Sequence, residues 1–462
     1  MPSTPRQIVP TGMSAHREGV DRLLRSYGNI PADAPVRLAK KTSNLFRARA
    51  KISAPGLDVS GLGGGVISVD AKARTADVAG MCTYEDLVDA TLPLRARTVR
   101  RAAAQDDHAR WCRHRTGHRI HLVPQRPATR VGAGNGHPHR QRRDRHGDTG
   151  RRTRRSVPGV SPNSYGSLGY ATRLRIELEP VKRYVALRHL RFDSLGELQA
   201  ALDRIATERS HAGVPVDYLD GTVFSSTESY LTLGTQTDEP GPVSDYTGEH
   251  IYYRSIQHNS VNHPKTDRLT IRDYLWRWDT DWFWCSRAFG AQNPRIRRLW
   301  PKKLLRSSFY WKLIAMDHKY NIADRIEARK GNPPRERVVQ DIEVPIERTA
   351  EFMRWFLSEI PIEPVWLCPL RLRDRSAPSD AVSFDAQRPW PLYPLEPKRT
   401  YVNVGFWSSV PIVPGDIEGA ANRTIESKVA ELDGHKSLYS DSYYSRDDFE
   451  QLYYGGGANT RR

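Results

Sequence analysis

Two short stretches carry residues of the kind that hold a phosphate-rich ligand: Lys41, Thr42, Ser43 and Asn44, and, far along the chain, Asn163, Ser164, Tyr165, Gly166 and Gly169. A dinucleotide pyrophosphate needs main-chain N–H groups turned toward it and no Cβ in the way, so small-residue and glycine turns serve it. Neither stretch is specific by itself, because Gly63-Gly64-Gly65 gives a similar signal and a lone turn of this kind is more often plain structure. A third group, Lys436, Tyr439, Asp441, Tyr443 and Arg446, gathers charged and proton-bearing side chains within one segment. Asp341, Glu343 and Arg371 fall on strand-like segments, where charges are routine. Other chemistries have no pattern here: the chain contains no Walker loop, HExxH, G-x-S-x-G or CxxC. Val216 to Gly221, VDYLDG, lacks the length and closing Glu of a calcium loop and is expected to be a strand end with a turn. The four cysteines, Cys82, Cys112, Cys285 and Cys368, have no paired spacing, which suits a reduced protein without a disulfide or zinc framework.

The elements that must position these groups follow from periodicity. A helix is expected around His16 to Tyr27, then a hairpin in which Gly65 to Val69 and Thr75 to Ala79 alternate at period two, then a short helix from Tyr84 to Ala90. Ala171 to Glu179 alternates Leu174, Ile176 and Leu178 against charges, as a half-buried strand does. Further on, a βαββ pattern occurs twice, over 183–235 and 338–407. In the first copy Tyr184 to Phe192 is a strand, Ser194 and Glu197 form a capping box for a helix carrying Leu198, Leu202 and Ile205, and Val214 to Phe224 and Ser229 to Thr235 are strands. In the second, Val338 to Val344 is a strand, Ile346 to Ser358 a helix with Phe352, Trp355 and Phe356 inward, and Val365 to Leu372 and Tyr401 to Trp407 are strands. Two such units commonly pack as one antiparallel sheet with helices on one face. Between them, 274–312 holds six of the 11 tryptophans, Trp276, Trp278, Trp282, Trp284, Trp300 and Trp311, among basic residues. Rings of this density pack cores and domain interfaces, or, with the basic charge, lie in a lipid headgroup layer.

One interval breaks the pattern. Residues 95–155 contain 18 Arg and 7 of the 15 His against 4 Asp, with no Lys, Glu, Phe, Tyr or Met, and so account for 14 of the 18 surplus positive charges. Three explanations fit: a solvated basic insert too poor in apolar residues to order, an arginine-rich arm that neutralises nucleic-acid phosphates, or a segment translated out of frame. The third can be tested on the genetic code. Asp106-Asp107-His108 is encoded GAY GAY CAY, and reading one base later permits Thr-Ile-Thr. The same shift from Arg101 to Ile120, with third bases chosen within degeneracy, permits VPQLKTITLGGAVTGLGIES, a hydrophobic, glycine-punctuated string; Trp111-Cys112 forces one of its glycines. The expectation is an out-of-frame segment over about 95–161, poorly packed, with a hollow beside it. His114, His118 and His121, whose spacing imitates a metal site, are then a coincidence of Arg/His codons.

The flanks of this interval carry a resemblance. Lys41-Thr42-Ser43-Asn44-Leu45-Phe46-Arg47, Val66 to Asp70 through Ala79 to Tyr84, Pro162 to Tyr170, Val365 to Leu370 and Lys436 to Tyr443 together resemble the 24-dehydrocholesterol reductase (Diminuto) branch of the vanillyl-alcohol-oxidase, PCMH-type FAD-binding oxidoreductases. The likeness runs over about 15–455 outside the block, and the shifted-frame string is similar to the glycine-rich flavin segment of that family. The resemblance implies an α+β chain. A PCMH-type FAD-binding domain over 14–180 is followed by a cap with an antiparallel sheet covered by helices over 181–425, and 426–462 returns to the flavin. It implies that Lys41 to Asn44 and Asn163 to Gly169 flank FAD, with NADPH or NADH as electron donor. It implies reduction of a C=C bond of a sterol- or isoprenoid-like substrate, with Tyr439 or Tyr443 as acid and Lys436 as a charge near the ring, although a surface or packing role is the commoner one for such side chains. A non-catalytic remnant and an arginine-rich nucleic-acid binder are the alternatives.

Length and composition agree with a folded enzyme: 462 residues with 38% apolar content suffice for more than one domain. No run of 18 apolar residues occurs and Met1 to Arg17 has no apolar stretch behind its charges, so the expectation is a cytoplasmic protein without signal peptide or membrane span. The expected partner is an apolar small molecule, with no nucleic acid. Peripheral membrane contact through 274–312 stays open, and nothing in the sequence sets the oligomeric state.

Overall fold

The computed structural model describes residues 9–31, 36–39, 56–94 except 64, 96–98, 170–246, 251–262, 267–279, 290–371 except 321, and 399–454 except 418, with short pieces at 136–137, 145–146, 281, 286–287 and 395–396. Most of 95–161, with the packing expected of it, lies outside these residues.

The fold is α+β, with one large antiparallel sheet. Helix α1 (Gly12–Gly28) buries Val20 and Leu23 and crosses the chain near Gly61 at main-chain contact, where a Cβ on Gly19 would fall 2.3 Å from the Gly61 carbonyl oxygen. Strands β1 (Leu38–Ala39) and β2 (Leu57–Asp58) pair in parallel. The expected hairpin is β3 (Val66–Asp70) with β4 (Thr75–Ala79), followed by α2 (Tyr84–Thr91), whose first turn is capped by the Thr83 hydroxyl accepting from the Asp86 N–H at 3.0 Å. Strand β5 (Ala96–Thr98) joins them in a four-stranded sheet of order β3-β4-β8-β5, where β8 is Arg173–Pro180. Inside the arginine-rich interval, β6 (Gly136–His137) pairs with β7 (Arg145–His146).

The large sheet begins with β9 (Tyr184–Phe192). Helix α3 (Leu195–Glu208) follows, capped by the Ser194 hydroxyl accepting from the Glu197 N–H, with Leu198, Leu202 and Ile205 buried. The single strand expected from Val214 is interrupted: β10 (Ser210–His211) and β11 (Val214–Pro215) form a small hairpin, and β12 (Tyr218–Ser225) starts afterwards. The positive φ of Ala212 (50°) and Gly213 (74°) turns the chain back on itself before that strand. VDYLDG therefore does not end a strand; Tyr218 to Gly221 lie within β12, paired with β13 (Glu228–Thr237). Next come α4 (Tyr252–Asn262), β14 (Asp267–Thr270), α5 (Ile271–Trp276), α6 (Pro294–Leu299), α7 (Ser307–Tyr320) and α8 (Ile322–Arg329). Strand β15 (Arg335–Pro345) leads to a 3-10 turn over Ile346–Arg348, so helix α9 (Thr349–Glu359) begins later than the sequence pattern suggests. Strands β16 (Val365–Arg371) and β17 (Thr400–Pro411), helix α10 (Ala420–Glu431), strand β18 (His435–Lys436) and helix α11 (Arg446–Tyr454) complete the chain.

Eight strands form the sheet in the order β14-β9-β13-β12-β16-β17-β15-β18, every neighbour antiparallel. The two strand-helix-strand-strand runs meet at its centre, where Gly221, Thr222 and Val223 of β12 pair with Leu367, Trp366 and Val365 of β16. Alternation sorts the two faces. On one, Leu231, Leu367, Val404 and Ile342 pack with α3, α9 and α10, and the Phe356 and Phe406 rings lie 4.5 Å apart. Truncating such a ring to Ala costs about 3–5 kcal/mol. Helix α10 has Gly419 at its N-cap and no side-chain cap there; Glu336 of β15 instead accepts from the Ala421 and Asn422 N–H groups at 3.1 and 2.9 Å. The other face carries a second core with Tyr252 and Ile256 of α4 and Trp278.

Helix α5 sits between the two sheets. Tyr274 belongs to the core of the large sheet, while the next residues, Leu275 and Trp276, belong to the core of the small one. Arg272 of α5 also pairs with Asp89 of α2. Trp276 and Trp278 thus do core and interface packing and are not exposed to a lipid layer, which answers half of the question raised by the 274–312 stretch.

Candidate functional site

The face of the large sheet turned away from α3, α9 and α10 gathers the polar and aromatic groups of the fold. In β17, Val402, Val404 and Phe406 enter the helix-side core, so Asn403, Gly405 and Trp407 point the other way. Beside them stand Trp366 and Cys368 of β16, and Asp341 and Glu343 of β15. The register strings polar cross-strand neighbours along this face: His189 against Thr232, Thr232 against Asp220, Cys368 against Asn403, Asn403 against Glu343, and Glu343 against His435. Asp220, Thr232, Asn403 and Glu343 are all buried.

Buried polar groups need partners, and each of these side chains has at least one, although Asn403 Oδ1 and His189 Nε2 are buried without a hydrogen bond among the described residues. Asn403 Nδ2 donates to Glu343 Oε1 at 3.1 Å, and the Ser437 hydroxyl donates to the same oxygen at 2.9 Å. Asp220 pairs with Arg277, whose guanidinium is wholly buried and lies 4.3 Å from the Tyr274 ring centroid. His189 Nδ1 and the Thr232 hydroxyl are 2.9 Å apart, and burial pushes the imidazole down to about 4 from its ordinary 6.5. Tyr246 donates to Asp267, and burial followed by the Asp267 charge drives its phenol well above the usual range.

Next to this polar row the face is aromatic. The Trp366 and Trp407 rings are 6.4 Å apart, and Trp407 Nε1 donates to the Tyr439 hydroxyl at 3.0 Å. Glycine at 405 is required here, because a Cβ would fall 2.7 Å from both the Trp407 ring and Asp341 Oδ1. Tyr439 is 3% exposed. The segment after β18 runs along this face, since the Ser437 N–H donates to the Asp341 carbonyl at 2.9 Å.

The other two C-terminal candidates lie elsewhere. Lys436 points to the helix side, is fully buried, and pairs at 2.5 Å with Glu426 of α10 while also donating to the Asp441 carbonyl. Tyr443 folds back over Gly419, whose φ is +74° and where a Cβ would fall 2.3 Å from the ring; its N–H donates to both Glu426 oxygens at 3.1 Å, and the Arg423 guanidinium lies over its ring. Lys436 and the Tyr443 main chain thus meet at Glu426, whereas Tyr439 alone reaches the aromatic face. Arg371, at the end of β16, is exposed, whereas Asp341 and Glu343 are buried on the Tyr439 face. Trp366, Trp407 and Asn403 escape a reading by motif; only strand alternation, projected through register, could have pointed to them.

Lys41 to Asn44 and Asn163 to Gly169 lie outside the described residues. The ends from which both loops spring come together: Leu38, Leu57, Met81 and Tyr170 pack in one cluster with Val20 and Leu23 of α1, and the Tyr170 hydroxyl donates to the Val36 carbonyl at 3.4 Å. The main chain is packed tightly around these ends. A Cβ on Gly56 would fall 2.9 Å from Ala39 N, and one on Gly80 would fall 2.1 Å from the Ala171 carbonyl oxygen. Gly65, with φ +81°, turns the chain into β3, so the glycine cluster at 63–65 has a structural task.

The Delta(24)-sterol reductase of Mus musculus is 26% identical to this chain over 304 residues, which is 64% of the chain and 53% of the mouse protein. The chain is a relative of the Delta(24)-sterol reductases. The Homo sapiens reductase matches at 26% over 303 residues, again 64% of this chain and 53% of that protein, and the Arabidopsis thaliana reductase at 23% over 322 residues, 64% and 54%. The chain spans about half the length of the curated relatives it matches. No family model matches it. These relatives are reductases by name.

Proposed function

We propose that the chain is built as an FAD-dependent reductase of a C=C bond in an apolar, sterol- or isoprenoid-like substrate, with NADPH or NADH as electron donor. The observation that carries the reading is Tyr439, a buried phenol held by the Trp407 indole N–H beside the buried polar row. A phenol whose oxygen is fixed by an N–H donor keeps its proton as the group it can give. Trp366 and Trp407, both buried in the core on this face, keep water from the hydroxyl. When bound, the flavin would supply the hydride. Lys41 to Asn44 and Asn163 to Gly169 would hold its pyrophosphate, which is supported by the convergence of their flanking residues at Leu38, Leu57 and Tyr170. The intervening block, as written, does not fit that task, since 101–120 offers one glycine, Gly117, among arginines. The reading therefore includes a segment translated out of frame over about 95–161, with a PCMH-type domain over 14–180 when in frame.

The test combines three measurements on the purified protein. Peptide mass spectrometry across 95–161 decides the frame. Titration with FAD, followed by visible absorbance, is expected to reach one flavin per chain when the segment reads as the shifted string. Tyr439→Phe is then expected to slow reduction of a side-chain-unsaturated sterol by about 100-fold or more while flavin binding is kept. An in-frame glycine-rich protein that takes up no FAD, or a Tyr439→Phe variant with unchanged turnover, would overturn the reading in favour of a non-catalytic remnant or a different acid.

A further inference from the structure

Among the described residues, one group of exposed apolar side chains falls in α6, α7 and α8, within and just beyond the tryptophan-rich stretch. Leu299 of α6 is 85% exposed, Met316 and Tyr320 of α7 are 50% and 49% exposed, and Ile322 and Ile326 of α8 are 40% and 44% exposed. They are not scattered. Met316 and Tyr320 are four residues apart on one helix, Ile322 and Ile326 four apart on the next, and each pair forms a stripe. Lys312 stands four residues before Met316 and Lys330 four after Ile326, so each stripe has a long cationic side chain at its outer end, both exposed. Helix α6 is tied to α7, because Trp300 packs against Phe309 and Tyr310.

Charge says what such a surface would meet. Residues 294–330 contain 11 Lys and Arg against Asp317, Asp324 and Glu327. Arg295, Arg298, Lys302, Lys303, Arg325 and Arg329 are exposed around the apolar stripes. The acids are partly spent internally: Glu327 pairs with Lys330 at 2.9 Å and Asp317 accepts from the Ala323 N–H at 2.7 Å. Apolar side chains ringed by lysine and arginine on short helices match a headgroup layer, where stems snorkel and charges meet anionic lipid.

We propose that the surface formed by α6, α7 and α8 rests on an anionic lipid bilayer, with Leu299, Met316, Ile322 and Ile326 entering the headgroup boundary. A protein that handles an apolar ligand gains from such a platform, since the ligand's concentration is highest in the bilayer.

The probe is sedimentation with vesicles of phosphatidylcholine alone and of phosphatidylcholine with a third phosphatidylserine, at 50 and 300 mM salt. Binding is expected on the anionic vesicles and to weaken as salt rises. The double variant Ile322→Glu/Ile326→Glu is expected to lose at least about tenfold in affinity, and Lys302→Ala/Lys303→Ala about fivefold per charge. Val214→Glu, at an exposed position in the β10–β11 hairpin, is the control and is expected to bind as the parent does. Bimane attached to Cys placed at Leu299 is expected to shift blue on vesicles, a readout that requires no loss of binding. Each of these would overturn the proposal: equal binding to both vesicle types, an unshifted bimane signal, a preference for duplex DNA competitor over lipid, or self-association in sedimentation that buries Leu299.

Discussion

Replacing Lys436 by Met tests whether this lysine is a structural ion or a charge reserved for chemistry. Its ammonium is fully buried, pairs with Glu426 at 2.5 Å and donates to the Asp441 carbonyl, while Glu426, 3% exposed, also accepts the Tyr443 N–H. Lys436→Met leaves the Glu426 carboxylate buried without its counter-ion, which costs about 3–5 kcal/mol. That is a large share of the stability of a typical domain, about 5–15 kcal/mol. Removing both charges, Lys436→Met with Glu426→Leu, leaves chiefly the Tyr443 N–H without its acceptor, a cost of about 1–3 kcal/mol. The double variant is therefore expected to be more stable than the single one. Urea unfolding followed by tryptophan fluorescence and far-ultraviolet circular dichroism measures both. A Lys436→Met cost below about 1 kcal/mol, or a double variant weaker than the sum of the singles, would refute the argument and return Lys436 to the list of groups facing a ligand.

Gly80→Ala is expected to lower the melting temperature by several degrees, because the new Cβ would meet the Ala171 carbonyl oxygen at 2.1 Å and main chain yields little; an unchanged melt would show that β4 and β8 part there. Gly419→Ala should cost at least about 1 kcal/mol through its φ of +74° and the Tyr443 ring above it, read by urea unfolding. For His189, the unfolded chain takes up a proton at the ordinary 6.5, whereas the folded protein refuses it until about 4. Stability should thus fall as pH drops from 6.5 toward 4, by at most about 1.4 kcal/mol per pH unit, and His189→Gln should flatten that dependence relative to the parent.

Much of the large sheet was legible from alternation. Tyr184 to Phe192 is a strand over its whole expected length, and Ser194 caps the helix that follows it, because these signals are local. The places where reading failed depended on turn conformation or on partners distant in sequence. The turn at Ala212 and Gly213 pairs Val214 and Pro215 with Ser210 and His211, which takes them out of the strand that the alternation starts at Val214. Hydrophobicity could not tell that Trp276 and Trp278 go inside while Leu299 stays out, since both belong to one apolar-basic stretch and only packing against the two sheets separates them. Lys436 ends β18 and Tyr439 lies three residues on, in a turn, so sequence proximity joins them in one site; in the fold Lys436 meets Glu426 on the helix side and Tyr439 meets Trp407 on the other face. The division into a flavin-binding unit, a cap and a returning C-terminal segment remains a proposal from the resemblance.

The two residues of β18 have an effect out of proportion to their number. Strand β15 is 11 residues long, and its outer edge is occupied by His435 and Lys436, by the Ser437 N–H on Asp341, and by α10 leaning on Glu336. A chain nicked or shortened ahead of Gly434 would leave that edge open, offering unsatisfied main-chain donors and acceptors to the same edge of another molecule. Insolubility on proteolysis or C-terminal trimming is then a property of strand geometry, and production of this protein calls for keeping that tail intact.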